Sequence, residues 1–244
     1  MGVTLATVAD LENFISNKAR EYCAADSTAL PPCTKVPFQD WEARFFMRGL
    51  ELGLFDVFSN GRLHYPRLSG HSARARNITG FFLRPQPEKC REVVTQFAAL
   101  TELIESYGWP EENVLAEPPA RGIAKAYAVD GLVFDESRLG SGHDGRSWPA
   151  VRIAIEAKIA SPQVKKLMRV ITGCVERGFH ERNDHPVSER DDHSKFVAIM
   201  EWKPRYFLTV TPEEQKIFLV RWHNETRFSL AEVNDIPRWS SRQS

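Results

Sequence analysis

Cysteine is scarce in this sequence, and its spacing excludes two classes of protein. The 244 residues include four cysteines, and no two of them form a C-x-x-C pair. Zinc fingers and small disulfide-rich domains both need closer, regular spacing. We therefore expect a reducing, intracellular environment. The cysteines are Cys23, Cys33, Cys90 and Cys174.

Long apolar runs are also missing. No run approaches the roughly 18 apolar residues of a membrane span. The N-terminus lacks the basic segment followed by an apolar core that marks a secretion signal. We expect a soluble intracellular protein without a membrane partner, and the sequence does not distinguish cytoplasm from nucleus.

The chain has no net charge, because 32 Lys and Arg residues balance 32 Asp and Glu residues. A uniformly basic surface for nucleic acid is therefore excluded, whereas a local basic patch is not. Residues 61–86 contain five arginines and no acidic residue. Arg74 and Arg76 are the densest pair in this stretch, and we predict that they bind a phosphate backbone. A solvated loop is the alternative.

The hydrophobic pattern predicts an α/β fold in three parts. Residues 1–86 form a helical N-terminal region, with helices over 5–24 and 38–58 and an Arg-rich loop. Residues 87–236 form a domain with a mixed central sheet, and residues 237–244 form a frayed tail. The predicted elements of the domain are a helix over 87–107, strands over 114–116, 124–134 and 151–159, a helix over 161–178, an exposed loop over 179–194, and strands over 195–202, 206–210 and 217–222, the last two joined as a C-terminal β-hairpin.

Three ionisable residues occupy special positions in these strands. Asp130 ends one apolar run, and Glu156 and Lys158 end the next. Residues two apart in a strand point to the same face, so Glu156 and Lys158 project together. If the two strands are neighbours, two carboxylates and an ammonium group converge. Carboxylates at close range repel each other unless a cation lies between them, and Mg²⁺ prefers oxygen ligands of this kind.

This arrangement resembles the PD-(D/E)XK nuclease superfamily, which has the restriction-endonuclease-like fold. The resemblance covers residues 87–202 and rests on Asp130, the run Ile155-Glu156-Ala157-Lys158 and an αβββαβ order of elements. It implies that Asp130 and Glu156 bind the metal together with the backbone carbonyl of Ala157, and that Lys158 is the catalytic lysine. The implied cofactor is Mg²⁺, with Mn²⁺ as a substitute.

Other residues compete for parts of this site. Glu201 begins a second Glu-x-Lys motif, and Glu214 begins a third. Glu214 falls in a predicted turn, and no helix is predicted after Glu201, whereas the fold requires a helix after the motif. Some members of the superfamily place a further acidic residue on the helix before the sheet. Glu92, Glu102 and Glu105 are the candidates here, and Glu105 lies closest to the apolar stripe. A solvated glutamate is the alternative for each.

Charged residues elsewhere suggest a nucleic-acid surface. Lys165, Lys166 and Arg169 on the predicted helix after Glu156 are candidates for phosphate contacts, with a merely solvated helix face as the alternative. His180, His185 and His193 stand near acidic residues, but their spacing matches no zinc signature.

These observations predict a metal-dependent nuclease that hydrolyses phosphodiester bonds, in DNA rather than RNA. A catalytically inactive nucleic-acid-binding or assembly subunit with the same fold is the alternative. A third reading is an interaction protein that uses the charged 179–194 segment. A homo-oligomer is compatible with the sequence.

Overall fold

The fold is a mixed α/β arrangement, shown here by a computed structural model. It describes residues 5–25, 36–68, 78–82, 89–118, 129–135, 150–177 and 186–239. Within these ranges the chain forms five α-helices and two sheets, of three and six strands. None of the described helices combines the length and the apolar character that crossing a membrane would require.

The N-terminal region contains two helices and the smaller sheet. The elements are α1 (Val8–Ala25), α2 (Asp40–Glu51), β1 (Asp56–Val57), β2 (Arg62–His64) and β3 (Ile78–Gly80). Both helices begin with a reciprocal cap: Thr7 and Asp10 exchange hydrogen bonds at α1, as do Gln39 and Glu42 at α2. The prediction of a loop throughout 61–86 is wrong, because β2 and β3 pair there in antiparallel register.

The larger sheet follows a long helix. The elements are α3 (Lys89–Glu105), β4 (Val114–Ala116), β5 (Gly131–Phe134), β6 (Val151–Ala157), α4 (Ser161–Arg177), α5 (Arg190–Trp202), β7 (Tyr206–Val210), β8 (Gln215–Trp222) and β9 (Phe228–Val233). The strands lie in chain order, and all neighbours are antiparallel except β6 and β7. The predicted helices α3 and α4 and the predicted β7–β8 hairpin are confirmed.

Helices cover both faces of this sheet. Alternate strand residues, such as Ile153 and Ile155 of β6, share one core with α1, α2 and α3. The strand residues between them, such as Ala154, point to the other face and share a second core with α4 and α5. Because side chains alternate along a strand, Glu156 faces the second core, on the same side as α4 and α5.

Residues 190–202 differ from the prediction, since they form helix α5 instead of a loop followed by a strand. Asp191 and Asp192 lie in the first turn, where acidic side chains favour a helix. Phe196 and Ile199 then lie three residues apart on the buried side of α5. Val197 and Ala198 between them are buried as well, so the spacing of apolar residues alone does not distinguish this helix from the predicted strand.

Two further elements depart from the prediction at the C-terminus. Strand β9, which the sequence pattern did not indicate, pairs with β8. The tail predicted to fray from Pro237 is held at its start, because the Trp239 amide donates to the Tyr107 carbonyl over 2.8 Å. The Trp239 ring also packs on Trp109, with centroids 5.1 Å apart. Residues 240–244 lie outside the described part of the chain.

Candidate active site

Asp130 and Glu156 meet at one edge of the six-stranded sheet. Gly131 of β5 pairs with Ile155 of β6, and the strands are antiparallel. One residue further along, this register places Asp130 opposite Glu156, on the face that α4 and α5 cover. A side chain at Gly131 would meet Leu100 of α3 at 2.8 Å, so glycine allows α3 to approach the sheet here.

Hydrogen bonds fix the Asp130 backbone and carboxylate. The Asp130 amide donates to the Ile155 carbonyl over 2.9 Å. The Asp130 carboxylate accepts a bond of 2.7 Å from the Ala157 amide. From α3, the Gln96 side chain donates to the Asp130 carbonyl over 2.9 Å. These contacts hold Asp130 from two elements, β6 through Ile155 and Ala157, and α3 through Gln96.

Glu156 carries the most buried carboxylate of the group, at 1% exposure. Its Oε1 accepts a hydrogen bond of 2.7 Å from Lys158 Nζ. A second ammonium group, that of Lys195 on α5, lies 3.2 Å from the same oxygen. The other oxygen, Oε2, is buried and has no hydrogen-bond partner among the described residues. The side chain is thus satisfied on one oxygen and unsatisfied on the other.

A fourth polar side chain lies beside Glu156. Thr209 of β7 is in register with Glu156, and the two strands are parallel. Since Phe207 faces the second core, Thr209 faces the same way as Glu156. Thr209 is 1% exposed, and its hydroxyl finds no hydrogen-bond partner within the described ranges. Two unsatisfied buried oxygens therefore stand side by side at the strand ends.

Burial and nearby charges govern the ionisation of the two carboxylates. Burial raises the pKa of Glu156 most, and the negative charge of Asp130 raises it further. Burial also raises the pKa of Asp130, against the lowering effect of Lys195. Such a pair of carboxylates binds protons more readily than isolated ones, and a cation between them would have the opposite effect.

The two lysines keep their charge in this environment. Burial alone would lower the pKa of Lys158, but attraction to Glu156 and Asp130 outweighs it, and the net effect is a raised pKa. The pKa of Lys195 is raised in the same way, with Glu156 as the strongest favourable partner. Both ammonium groups therefore remain protonated near neutral pH.

The structure brings Asp130, Glu156, Ala157 and Lys158 together, as the sequence predicts. It does not bring Glu105 there. Glu105 lies at the far end of α3 and forms an ion pair of 3.0 Å with Arg48 of α2. The expectation that Glu105 reaches the site is wrong, because the site lies near Gln96 and Glu105 is nine residues, or about 14 Å, further along the helix axis.

Glu92 is the α3 glutamate whose charge acts on the residues of the site. Its charge contributes to raising the pKa of Asp130, after burial and against Lys195. It also contributes to the raised pKa of Lys158. Glu102, the third candidate, accepts a hydrogen bond of 2.6 Å from Gln215 on β8 instead.

Two residues of the site were missed from the sequence. Lys195 lay in a segment predicted as a strand, where no position relative to Glu156 could be assigned. All residues from Asp192 to Ile199 are buried, so the sequence offered no periodic apolar pattern that would place Lys195 on α5. Thr209 was placed on a strand correctly, but its pairing with Glu156 depends on the β6–β7 register, which the sequence pattern does not specify.

The structure describes only some of the residues predicted to contact nucleic acid. Arg74 and Arg76 lie outside the described residues. Lys165 is exposed on α4. Lys166 pairs with Asp192 over 3.2 Å, and Arg169 pairs with Glu189 over 2.9 Å. These two side chains thus bind the segment at the start of α5.

The other candidates from the sequence are the second Glu-x-Lys motif and three histidines. Lys203, from the second Glu-x-Lys motif, caps the end of α5 in a left-handed conformation, with φ of 48°. His193 is buried against Phe196, and His180 and His185 lie outside the described residues. Over the described ranges, no group of three His, Cys, Asp or Glu side chains is arranged to bind a metal ion. A metal at the Asp130 site would therefore need ligands besides these side chains.

Comparisons with known proteins add no relative: no family model, no curated protein and no solved structure matches the chain.

Proposed function

We propose that this chain is a metal-dependent nuclease of the restriction-endonuclease-like type, which hydrolyses phosphodiester bonds in nucleic acid, DNA in preference to RNA. The observation that carries the proposal is the convergence of Asp130, Glu156 and Lys158 at one sheet edge. The order of elements around them supports it: helix α3, three antiparallel strands, helix α4, and a strand parallel to β6. The additional helix α5 precedes that last strand.

The residues fit a Mg²⁺ ion. The cation commonly takes one or two carboxylates and completes its shell with water and phosphate oxygens. Asp130 and Glu156 would supply the carboxylates, and the Ala157 carbonyl would add a protein oxygen. The buried Oε2 of Glu156, which has no hydrogen-bond partner in the described part of the chain, supports this fit. Burial raises both carboxyl pKa values, and the negative charge of Asp130 raises that of Glu156 further; a cation bound there would offset both effects.

Bound Mg²⁺ would polarise the phosphodiester and lower the pKa of a coordinated water. The protein groups then have separate tasks. Asp130, fixed by the Ala157 amide, and Glu156 set the position of the reacting centre. Lys158 orients the attacking water or offsets the charge that develops on the phosphoryl oxygens. The water oxygen forms the new bond to phosphorus and releases its proton to solvent. The bond from phosphorus to the leaving oxygen breaks, and that oxygen takes the electron pair and a proton from solvent.

The test is cleavage of plasmid, linear duplex, single-stranded DNA and RNA in Mg²⁺, Mn²⁺ or EDTA. We expect cleavage of DNA in both metals and none in EDTA. Glu156→Gln should lower the rate by at least about 100-fold, as is typical for loss of transition-state electrostatics. Glu21→Gln, on the exposed surface of α1, is the matched control and should cleave normally.

The cleavage assay also distinguishes a nuclease from a catalytically inactive nucleic-acid-binding subunit with the same fold. Two ammonium groups already balance the two carboxylates, as a purely structural cluster would require. A structural cluster predicts DNA binding without cleavage in either metal, and cleavage that persists in EDTA would reject the metal mechanism.

A further inference from the structure

Two lysines contact a single oxygen of Glu156. Lys158 Nζ lies 2.7 Å and Lys195 Nζ 3.2 Å from Oε1. A carboxylate oxygen can accept two hydrogen bonds, so both contacts can exist at once. The two ammonium groups together balance the charges of Glu156 and Asp130, and Glu156 Oε1 is an atom that both of them contact.

The two lysines differ in how firmly they are held. Lys158 follows the last residue of β6, and its side chain is 13% exposed. Lys195 lies inside α5, and its side chain is 5% exposed. Its neighbours Phe196 and Ile199 belong to the second core, which fixes the helix on the sheet. Lys158 is therefore the lysine closer to solvent at the strand end, and Lys195 is the one enclosed between α5 and the sheet.

A buried charge is costly without its partner. Removing one member of a buried ion pair is strongly destabilising because the other charge is left uncompensated. If Lys158 alone neutralised Glu156, its movement toward a phosphate would leave the Glu156 carboxylate without an ammonium partner. With Lys195 in place, Glu156 keeps a partner throughout.

From this geometry we propose that Lys195 is a positioning residue: it holds Glu156 Oε1 and thereby releases Lys158 to act on the scissile phosphate. The inference rests on the proposed nuclease function. It assigns the two lysines different tasks, with Lys195 acting through Glu156 and Lys158 acting at the substrate.

The kinetic test uses Lys195→Met, Lys195→Arg, Lys158→Met and the double variant Lys158→Met/Lys195→Met. Without Lys195, Lys158 stays on Glu156, so we expect kcat to fall by about 10- to 100-fold, the usual effect of losing a supporting contact, while KM changes little. Lys195→Arg should recover most of kcat because it keeps the positive charge. In the Lys158→Met background there is no Lys158 to release, so loss of Lys195 should lower kcat by a smaller factor than it does in the wild type. Lys18→Met, which removes a lysine paired with Glu21 on α1, is the control.

A second measurement does not depend on turnover. In ¹⁵N-labelled protein, NMR of the lysine ammonium groups, assigned from the variants, is recorded before and after addition of Mg²⁺. We expect Mg²⁺ to broaden the Lys158 signal as this ammonium group leaves Glu156, whereas the Lys195 signal shifts but remains visible. In Lys195→Met, the Lys158 signal should remain visible when Mg²⁺ is added.

The outcomes separate the two proposals. The role of Lys195 would be overturned if Lys195→Met had a normal kcat. It would also be overturned if the fold-losses in kcat of the two single variants multiplied fully in the double variant. Neither result would contradict the nuclease proposal. Loss of the Lys195 signal with retention of the Lys158 signal would likewise overturn the role of Lys195 and leave the nuclease proposal standing. If the wild-type chain shows neither cleavage nor any Mg²⁺-dependent change in these signals, the nuclease proposal fails and this inference fails with it.

Discussion

The carboxylate of Asp130 accepts a 2.7 Å hydrogen bond from the backbone amide of Ala157, across the boundary between β5 and β6. This contact ties the first predicted metal ligand to the residue whose carbonyl is expected to be another. It also means that an amide in place of the carboxylate can keep the same bond, since an asparagine oxygen accepts as well. Charge and geometry at Asp130 can therefore be separated experimentally.

Asp130→Asn should abolish metal-dependent cleavage without destabilising the fold. Burial raises the pKa of Asp130 above its reference value of 3.8, so the ionised form costs stability in the absence of metal. That cost grows as the pH rises above the unfolded value and is absent below it. We expect the variant to melt at the same temperature as the wild type or a few degrees higher at pH 7, in EDTA.

Thermal melts from pH 4 to pH 8 measure this effect. The difference between the variant and the wild type should shrink as the pH falls toward the reference value. A variant that melts well below the wild type at pH 7 would show that the Asp130 charge stabilises the fold, contrary to this expectation.

Glu92 and Glu105 should behave differently when each is changed to glutamine. Because Glu92 contributes to raising the pKa of Asp130, Glu92→Gln should lower that pKa. Asp130 would then be ionised at lower pH, and the acid limb of the cleavage profile should move to lower pH. Glu105→Gln should leave the profile unchanged, since Glu105 pairs with Arg48. Profiles of kcat/KM against pH measure both, and equal shifts in the two variants would contradict the assignment.

A buried ion pair in the N-terminal region offers a test of stability. Arg91 of α3 and Glu42 of α2 are 1% and 0% exposed and lie 2.5 Å apart. Arg91 also donates to the carbonyls of Val36 and Pro37, and its guanidinium lies over the Phe38 ring. The pair thus joins α2, α3 and the segment before α2.

Arg91→Ala should lower the free energy of unfolding by about 3–5 kcal/mol, because it leaves a buried carboxylate without its partner. Denaturation by urea measures the change. Lys18→Ala, which breaks an exposed pair on α1, should cost less than about 1 kcal/mol. The double variant Arg91→Met/Glu42→Leu should be less destabilised than Arg91→Ala. Equal losses for the buried and the exposed pair would contradict this account.

The sequence predicts the strand part of the site well because the relevant rule is local. Glu156 and Lys158 share a face through the two-residue period of a strand, and the prediction needs only that Asp130 lie on the neighbouring strand. Whether a residue of a helix reaches the site depends on its position along the helix axis as well as on its angle around that axis. Glu105 has a suitable angular position on α3, but the site lies near Gln96, several turns away.

Lys195 shows a second limit. Its contact with Glu156 joins residues 39 positions apart through the packing of α5 on the sheet. A segment rich in aromatic and β-branched residues favours a strand by propensity, and the tertiary packing of its apolar side overrides that preference. Pairing of this kind follows from the assembled core and has no local pattern in the sequence.

The last prediction concerns nucleic-acid binding. The chain has no net charge, so attraction to a phosphate backbone must come from a local patch. Lys166 and Arg169 are engaged with Asp192 and Glu189, which reduces what α4 can offer to phosphates. Arg74 and Arg76, in the stretch without acidic residues, remain the favoured pair.

Arg74→Ala/Arg76→Ala should weaken binding to all DNA sequences alike, because phosphate contacts carry no sequence information. The slope of log affinity against log salt concentration should become shallower by up to about two units, one for each lost phosphate contact. Fluorescence anisotropy with a labelled duplex at several salt concentrations measures both quantities, with Asp130→Asn as the background so that the duplex stays intact. Lys165→Ala, on the exposed face of α4, is the comparison: if it reduces the slope and the arginine variant does not, the phosphate backbone lies along α4 instead.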